Sequence, residues 1–222
     1  MSSTLCQDIL LFYSKSKDLP AGSYERGNAS QLTKGQRGIG YSTEDELQRE
    51  RQGLSIDRRS ARYQEQVTHP DNYLELNAIP DWRKVLSNFY VFDFKAEVAP
   101  DTILTFRTIE HGFHYFKIRL ADPSRAFDFA LESGSELSKG DGLDAQRARK
   151  LVVLNTQQLE EWDAIKESVL YSLSKCRFSQ DPLSKQVLLA TRDAQLWHIV
   201  PQRNPIRFTH LEQVREELKV SR

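Results

Sequence analysis

A helix with two chemically different faces is predicted by Thr108-Ile109-Glu110-His111-Gly112-Phe113-His114-Tyr115-Phe116-Lys117. Its apolar residues recur at helical spacing, and we expect that face to pack inward. The apolar face consists of Ile109, Phe113, Phe116 and Leu120. On a second stripe, Glu110, His114 and Lys117 follow one another at positions i, i+4 and i+7. His111 lies beside that stripe, so a carboxylate, an amine and two imidazoles share one side of the helix.

Three interpretations of the polar stripe are compatible with its spacing. It is a solvated helix face if Glu110 and His114 form only a surface pair, which stabilises a helix by about 0.2–0.5 kcal/mol. It is a metal site if His111 and His114 find a further ligand elsewhere in the chain. It is one wall of a small-molecule pocket if Glu110 and Lys117, about 10 Å apart along the helix axis, meet across a bound molecule.

The overall charge excludes some classes of function. The 222 residues contain 31 Lys and Arg against 31 Asp and Glu, and the pI is near 7.0. A chain without net charge has no field that concentrates polyanions, so we do not expect tight, indiscriminate binding to duplex DNA. A single modified base or a strand end remains a suitable partner, because such binding needs only a pocket and a few local cations.

Cysteine usage and hydropathy predict an intracellular protein. Cys6 and Cys176 are far apart in the sequence, which speaks against a disulfide framework or a cysteine-based zinc site and favours a reducing compartment. The first residues lack a basic region followed by an apolar run, and no apolar stretch approaches the roughly 20 residues of a membrane span. We therefore expect a cytoplasmic protein, or a nuclear one if the source is eukaryotic, that does not interact with membranes.

Alternating helices and short strands predict a helix-dominated α+β fold, with residues 1–222 in a single domain. The longest helix is expected over 156–177, with Trp162 on its apolar stripe. Further helices are expected to begin at Asp122-Pro123, Asp181-Pro182 and Thr209. Strands are expected over 8–14, 88–95 and 195–200.

Residues 15–85 form a charged, glycine-punctuated segment that we interpret as an insertion, either a lid or a substrate- or partner-binding arm. Only Thr43–Arg51 has a helical pattern within its polar part. The loop Lys34–Gly40 could cradle a phosphate through its amides, or be an ordinary loop. The basic cluster Arg58–Arg62 could contact phosphates, or be a solvated turn.

Several motifs occur in an order that carries information about the family. They are Phe12-Tyr13-Ser14, Ser87-Asn88-Phe89, Thr108-Ile109-Glu110-His111 with Lys117, Trp162–Glu167, Arg177-Phe178 and Leu188–Thr191. Together they resemble the NADAR family, the YbiA-like N-glycosidases, over residues 8–14 and about 86–200. The resemblance implies a YbiA-like fold and hydrolysis of an N-glycosidic bond at a ribose that carries phosphate or ADP.

The resemblance implies that Glu110 is the central functional residue and that Lys117 and Trp162 line the same pocket. Glu110 and Lys117 are expected to be catalytic. The residues expected to bind the substrate are Tyr13, Ser87, Asn88, Phe89, His111, His114, Trp162, Trp197 and His198. Glu110 would stabilise positive charge on the ribose or activate water, and His111 or His114 would supply a proton. Lys117 would bind a phosphate or hydroxyl group, or attack the anomeric carbon.

The expected activity is removal of ADP-ribose from ADP-ribosylated guanine in a nucleic acid or nucleoside. The expected partners are therefore substrates that contain ADP-ribose or ribosyl phosphate, including ADP-ribosylated DNA or RNA. No metal or other cofactor is expected. Two alternatives stay open: an N-glycosidase for phosphorylated ribosylamino intermediates of the riboflavin pathway, and a non-catalytic module that binds ADP-ribose or NAD.

Overall fold

The structure is a computed structural model that describes residues 8–23, 65–200 and 205–220. The expectations for Cys6, Lys34–Gly40, Thr43–Arg51 and Arg58–Arg62 lie outside these residues. The helices are α1 (Leu74–Asn77), α2 (Trp82–Val85), α3 (Ile109–Arg119), α4 (Pro123–Phe127), α5 (Glu136–Lys139), α6 (Gly142–Ala148), α7 (Thr156–Gln180), α8 (Pro182–Ala190) and α9 (Thr209–Val220). The strands are β1 (Ile9–Phe12), β2 (Phe94–Ala99), β3 (Thr102–Phe106), β4 (Gln195–His198) and β5 (Ile206–Arg207).

These elements make a helix-dominated α+β fold with two small sheets, which confirms the predicted fold class. Short 3-10 turns occur at Pro70–Tyr73 and Leu131–Ser133. Among the helices of the described ranges, none combines the length and hydrophobicity that a membrane crossing requires.

The described residues divide into two compact units. The first contains 8–23, 65–83, 190–200 and 205–209, and the second contains 84–189 and 210–220. Each has buried apolar residues of its own. Those of the first include Leu10, Phe12, Leu76 and Leu196, and those of the second include Phe106, Ile109, Phe129, Leu173 and Phe178. The expectation of a single domain over 1–222 stays a prediction.

The first unit is organised by a three-stranded sheet. β1 pairs in parallel with β4, and β4 pairs antiparallel with β5. The register sets Phe12 opposite His198 and Leu11 opposite Trp197. The strands predicted over 8–14 and 195–200 are thus present in shorter form.

A buried ion pair near the C-terminal end of the expected insertion also binds residues at its N-terminal end, within the first unit. The Arg83 guanidinium lies 2.7 Å from the Glu65 carboxylate, and both side chains are almost fully buried. Arg83 also donates to the carbonyls of Leu19 and Leu11, and Glu65 accepts from the amide of Gly22. A buried ion pair is tolerated only when its remaining hydrogen-bonding capacity is satisfied, and these backbone contacts satisfy it. Whether the segment 15–85 is a lid or an arm stays a prediction.

Local capping signals correctly predicted where α3 and α4 begin. Thr108 caps α3, with its hydroxyl oxygen accepting from the amide of His111 at 3.2 Å. Asp122 caps α4 in the same way, accepting from the amide of Arg125. Each of these contacts spans only three residues, so the sequence alone contains the information.

The strand predicted over 88–95 is wrong for most of its length. β2 begins only at Phe94 and pairs antiparallel with β3, which the sequence analysis did not predict. The alternating apolar residues before Phe94 lie in a turn and in the irregular segment that follows it, rather than in a ladder. The carbonyl of Ser87 accepts from Arg177 and that of Asn88 accepts from the amide of Glu110, so these groups are unavailable for strand pairing.

Candidate active site

Glu110 presents a buried carboxylate at the start of α3. The residue is 9% exposed, and its amide donates to the Asn88 carbonyl at 3.1 Å. Its Oε1 atom accepts a hydrogen bond from Nε2 of His114, also at 3.1 Å. The side chains of Glu110 and His114 are 11% and 5% exposed. The solvated-face interpretation of the polar stripe is therefore wrong for this pair.

The expected inward face of α3 was only partly correct. Ile109 is buried, but the other expected members, Phe113, Phe116 and Leu120, are half-buried. α3 is covered on a further side because Gly112 allows close approach of α7: a Cβ atom there would lie 2.6 Å from Cδ2 of Leu173. Helical spacing indicates which residues share a face, but a neighbouring helix determines which face is buried.

His111 has a structural role. Its Nε2 lies 3.0 Å from the carbonyl oxygen of Leu137, and its Nδ1 lies 2.8 Å from the hydroxyl of Thr108. Because a carbonyl only accepts, Nε2 carries the proton, and Nδ1 accepts from the hydroxyl. Burial lowers the pKa of His111, which favours the neutral ring. With both nitrogens engaged, His111 is poorly suited to the role of proton donor.

Two buried polar atoms beside Glu110 lack hydrogen-bond partners among the residues that the structure describes. They are Nδ1 of His114 and Oδ1 of Asn88. His114 itself is 4% exposed, with its ring between Phe113 and Phe129 at centroid distances of 5.8 and 6.1 Å. Buried polar atoms are nearly always paired, so unpaired ones at a candidate site indicate where a ligand or water binds.

The turn that carries Asn88 is held by the buried side chain of Arg177. Its guanidinium donates to the carbonyls of Ser87 at 2.7 Å and Val85 at 2.6 Å, and it stacks on the ring of Phe178. Burial lowers the pKa of Arg177 to about 9, so the group stays charged at neutral pH. The Ser87 hydroxyl oxygen accepts from the amide of Phe89 within the turn. Ser87 therefore stabilises the turn.

Gly142 at the start of α6 fixes the other side of this turn. A Cβ atom on Gly142 would lie 2.6 Å from Cα of Phe89 and 2.8 Å from its Cβ. Both distances are shorter than a Cβ atom in a folded protein keeps from a non-bonded carbon atom. The Cα atom belongs to the main chain, so it cannot rotate away. Only glycine allows α6 to lie against the backbone of Phe89.

Replacing Gly142 by Ala is therefore expected to destabilise the protein by about 1–3 kcal/mol, the usual result of overpacking. The measurement is urea unfolding, compared with Arg147→Ala on the same helix, where the side chain is 70% exposed. The Arg147 variant should stay within about 0.5 kcal/mol of the wild type. Equal stability of Gly142→Ala and wild type would contradict the close approach.

Trp162 and Lys117 differ in their surroundings. Trp162 on α7 is 5% exposed and meets the ring of Phe113 edge-on, with centroids 4.7 Å apart. Trp162 therefore packs against the Phe113 ring, which itself contacts the ring of His114. Lys117 is half-buried, one turn beyond His114, and its ammonium has no hydrogen bond or ion pair within the part of the chain described by the structure. An anion can therefore approach it without displacing a protein partner.

The remaining predicted site residues, Tyr13, Trp197 and His198, belong to the first unit. His198 stacks on Phe208, with centroids 4.9 Å apart, and Tyr13 lies 6.2 Å from the His198 ring. The indole of Trp197 donates to the side chain of Gln195. Burial lowers the pKa of His198 to about 4, so its ring is neutral at physiological pH. His198 therefore packs in this cluster as a neutral aromatic ring.

The neutral state of His198 predicts a pH dependence of stability. Between about pH 6.5, the ordinary pKa of histidine, and pH 4, the unfolded state binds a proton that the folded state does not. The free energy of unfolding should therefore fall as the pH is lowered through this window. Urea unfolding at pH 7, 6 and 5 measures how steeply the free energy of unfolding falls with decreasing pH. This dependence should be shallower in His198→Phe. Identical slopes in both proteins would contradict a neutral His198.

The metal interpretation gains no support from the arrangement of side chains. Over the described ranges, no group of three or more His, Cys, Asp or Glu side chains is positioned to hold an ion. His111 could coordinate a metal only by giving up its hydrogen bonds to Thr108 and Leu137.

Arg177 and Gly142 are the functional candidates that the sequence analysis missed. Arg177 was noted only as part of a motif, although a signal existed: it follows Leu173 by four residues on the stripe of α7 that is otherwise apolar. A charged residue at such a position is expected to find buried partners. Nothing local to Gly142 indicates its proximity to Phe89, which lies far away in the sequence.

No protein-family model matches this chain, and no curated protein matches it significantly. The NADAR resemblance and the residue roles that it implies therefore stay predictions.

Proposed function

We propose that this protein hydrolyses N-glycosidic bonds and removes ADP-ribose from ADP-ribosylated guanine in nucleic acids or nucleosides. The observation that carries the proposal is the buried carboxylate of Glu110. One of its oxygens is held by His114, while Oε2 accepts no hydrogen bond from any residue that the structure describes. A partly desolvated carboxylate with one free oxygen suits chemistry in which positive charge develops nearby.

Cleavage of a ribosyl–nitrogen bond develops positive charge on the anomeric carbon and the ring oxygen. In the proposed mechanism the free oxygen of Glu110 stabilises this charge or takes a proton from the attacking water. The water oxygen bonds to the anomeric carbon, and the carbon–nitrogen bond breaks with its electron pair going to the nitrogen. The departing guanine takes up a proton, so that one water is consumed for each ADP-ribose released.

His114 supports this role by orienting the carboxylate. Its Nε2 donates to Oε1, which leaves Oε2 as the reactive oxygen. Proton donation by His111 is not part of the proposal, because both of its ring nitrogens are engaged in hydrogen bonds. The proton for guanine then comes from water through Glu110, or from Lys117.

The direct test uses a guanine-ADP-ribosylated oligonucleotide incubated with the full 222-residue chain. Mass spectrometry should detect unmodified oligonucleotide together with free ADP-ribose. Binding of ADP-ribose without any release over hours would instead favour the non-catalytic module. A parallel incubation with a phosphorylated ribosylamino pyrimidine tests the riboflavin-pathway alternative, which predicts release of the sugar phosphate from that compound alone.

The role of Lys117 is open to a separate test. If its amine attacks the anomeric carbon, the carbon–nitrogen bond to guanine breaks and guanine takes up a proton. The ribosylamine that forms on Lys117 then opens its ring to a Schiff base, which borohydride reduces to a stable crosslink between enzyme and ADP-ribose. If Lys117 only binds a phosphate, turnover continues and no crosslink forms. Lys150→Met, which removes an exposed lysine of the second unit, is the control for nonspecific reaction with lysine side chains.

A further inference from the structure

The hydrogen bond between His114 and Glu110 determines what the other ring nitrogen can do. An ionised carboxylate only accepts, so Nε2 of His114 carries the proton that it donates to Oε1. In the neutral ring, Nδ1 is then an acceptor. This atom is buried and finds no donor among the residues within the described ranges. As a neutral imidazole, His114 therefore presents an unsatisfied acceptor within a residue that is 4% exposed.

Asn88 presents a second acceptor of the same kind. Its Oδ1 atom is buried without a partner in the described part of the chain, while its backbone carbonyl is held by the amide of Glu110. The preceding carbonyl, that of Ser87, is held by Arg177. The backbone of Asn88 is thus fixed on both sides, although its side-chain oxygen is unpaired. Asn88, Glu110 and His114 form one continuous series of contacts.

The chemistry of these atoms restricts what they can bind. Oε2 of Glu110, Nδ1 of His114 and Oδ1 of Asn88 all accept hydrogen bonds, so a complementary ligand group must donate. A phosphate has only acceptor oxygens at neutral pH and would be repelled by the carboxylate. A sugar supplies several hydroxyl donors without charge. We propose that Asn88 and His114 recognise the hydroxyl groups of the ribose bonded to the reacting nitrogen, an inference that rests on the proposed function.

Two substitutions at His114 separate the functions of its two nitrogens. Gln reaches the position of Nε2 with an amide that still donates to Glu110, but it has no acceptor at the position of Nδ1. Asn offers an acceptor oxygen near the position of Nδ1 but cannot reach Glu110. The proposal predicts that His114→Gln loses ribose recognition, whereas His114→Asn keeps much of it and loses mainly turnover.

Two substitutions at Asn88 test the same idea independently. Asn88→Leu has similar size and no acceptor, so it should lose ribose recognition. Asn88→Asp keeps an acceptor oxygen and adds negative charge, which hydroxyl donors tolerate and a phosphate does not. Asn88 is half-buried, so these variants remain informative if a substitution at His114 prevents folding.

The measurement is titration calorimetry of the full chain with ADP-ribose and, separately, with ADP. ADP lacks the terminal ribose and has a free terminal phosphate with more negative charge, so recognition of the ribose is read from the change that each substitution makes in the ratio of the two Kd values. His114→Gln and Asn88→Leu should each weaken ADP-ribose binding by about three- to tenfold, the usual effect of one hydrogen bond, and leave ADP binding unchanged. Asn88→Asp should preserve the ratio. Glu160→Gln, an exposed change on α7, is the matched control.

The assignment would be overturned if His114→Gln and Asn88→Leu lost affinity for ADP-ribose and for ADP by the same factor. It would also be overturned if both variants bound both probes as tightly as the wild type, or if the wild type bound the two probes equally. Since no turnover is needed, this result is independent of the enzymatic proposal. Selective loss of ADP-ribose binding in a protein that releases nothing would support the recognition site and reject the hydrolase. Turnover in a protein whose variants lose ADP-ribose and ADP binding equally would support the hydrolase and reject the recognition site.

Discussion

Glu110→Gln is expected to lower kcat for the release of ADP-ribose by about a thousandfold, while ADP-ribose binding is largely kept. The amide has the shape of the carboxylate, and its oxygen still accepts from Nε2 of His114, so the start of α3 should not change. What the variant lacks is a negative charge that stabilises the developing positive charge on the ribose, or a base that takes a proton from water. Because both functions are needed only in the transition state, the loss should fall on kcat rather than on binding.

The control for this prediction is Glu160→Gln, which neutralises an exposed carboxylate of the same unit. Release of ADP-ribose is followed by mass spectrometry under single-turnover conditions, and binding is followed by calorimetry. The control should match the wild type in both. Wild-type turnover in Glu110→Gln would reject the catalytic assignment, even if the protein proved to be an N-glycosidase.

Arg177→Met is expected to destabilise the protein by about 3–5 kcal/mol, because it removes two buried hydrogen bonds from a charged donor, each of which contributes about 1.5–3 kcal/mol. Methionine fills a similar volume but donates nothing to the carbonyls of Val85 and Ser87. The Val85 carbonyl would lose its side-chain donor, and the Ser87 carbonyl would keep only the amide of Tyr90. The stacking of the guanidinium on Phe178 is also lost.

Urea unfolding measures this effect, with Arg147→Met as the control. Arg147 has a side chain that is 70% exposed, so its removal should change the free energy of unfolding by no more than about 0.5 kcal/mol. The free energy of unfolding of Arg177→Lys should lie between those of Arg177→Met and Arg147→Met. An ammonium keeps the charge, but it cannot donate to both carbonyls with the geometry of a guanidinium. An Arg177→Met protein as stable as the control would show that the turn does not depend on Arg177.

Stability and activity should be linked through the turn at residues 85–89. Arg177 holds its carbonyls, Gly142 allows α6 to lie against Phe89, and the carbonyl of Asn88 binds the amide of Glu110. Loosening the turn would therefore displace the carboxylate that we propose to be catalytic, as well as destabilise the second unit. The proposed site depends on residues that contact no substrate.

Features that arise from short-range contacts were predictable from the sequence. Thr108 and Asp122 indicated where α3 and α4 begin, because a capping side chain binds a backbone amide only three residues away. The long helix was predicted over 156–177 and extends to Gln180. Interleaved helices and short strands indicated the α+β class, and the spacing of Glu110, His114 and Lys117 indicated a shared stripe.

The chemical state of those residues was decided by tertiary structure. Glu110 is buried because the turn at Asn88 and the neighbouring helices cover it. Burial also lowers the pKa of His111 and of His198, so both rings are neutral at physiological pH. The groups that cover these side chains come from other elements of the fold. Periodicity and capping report interactions over a few residues, whereas burial and hydrogen-bond saturation depend on which distant segments meet, and that information emerges only when the chain is folded.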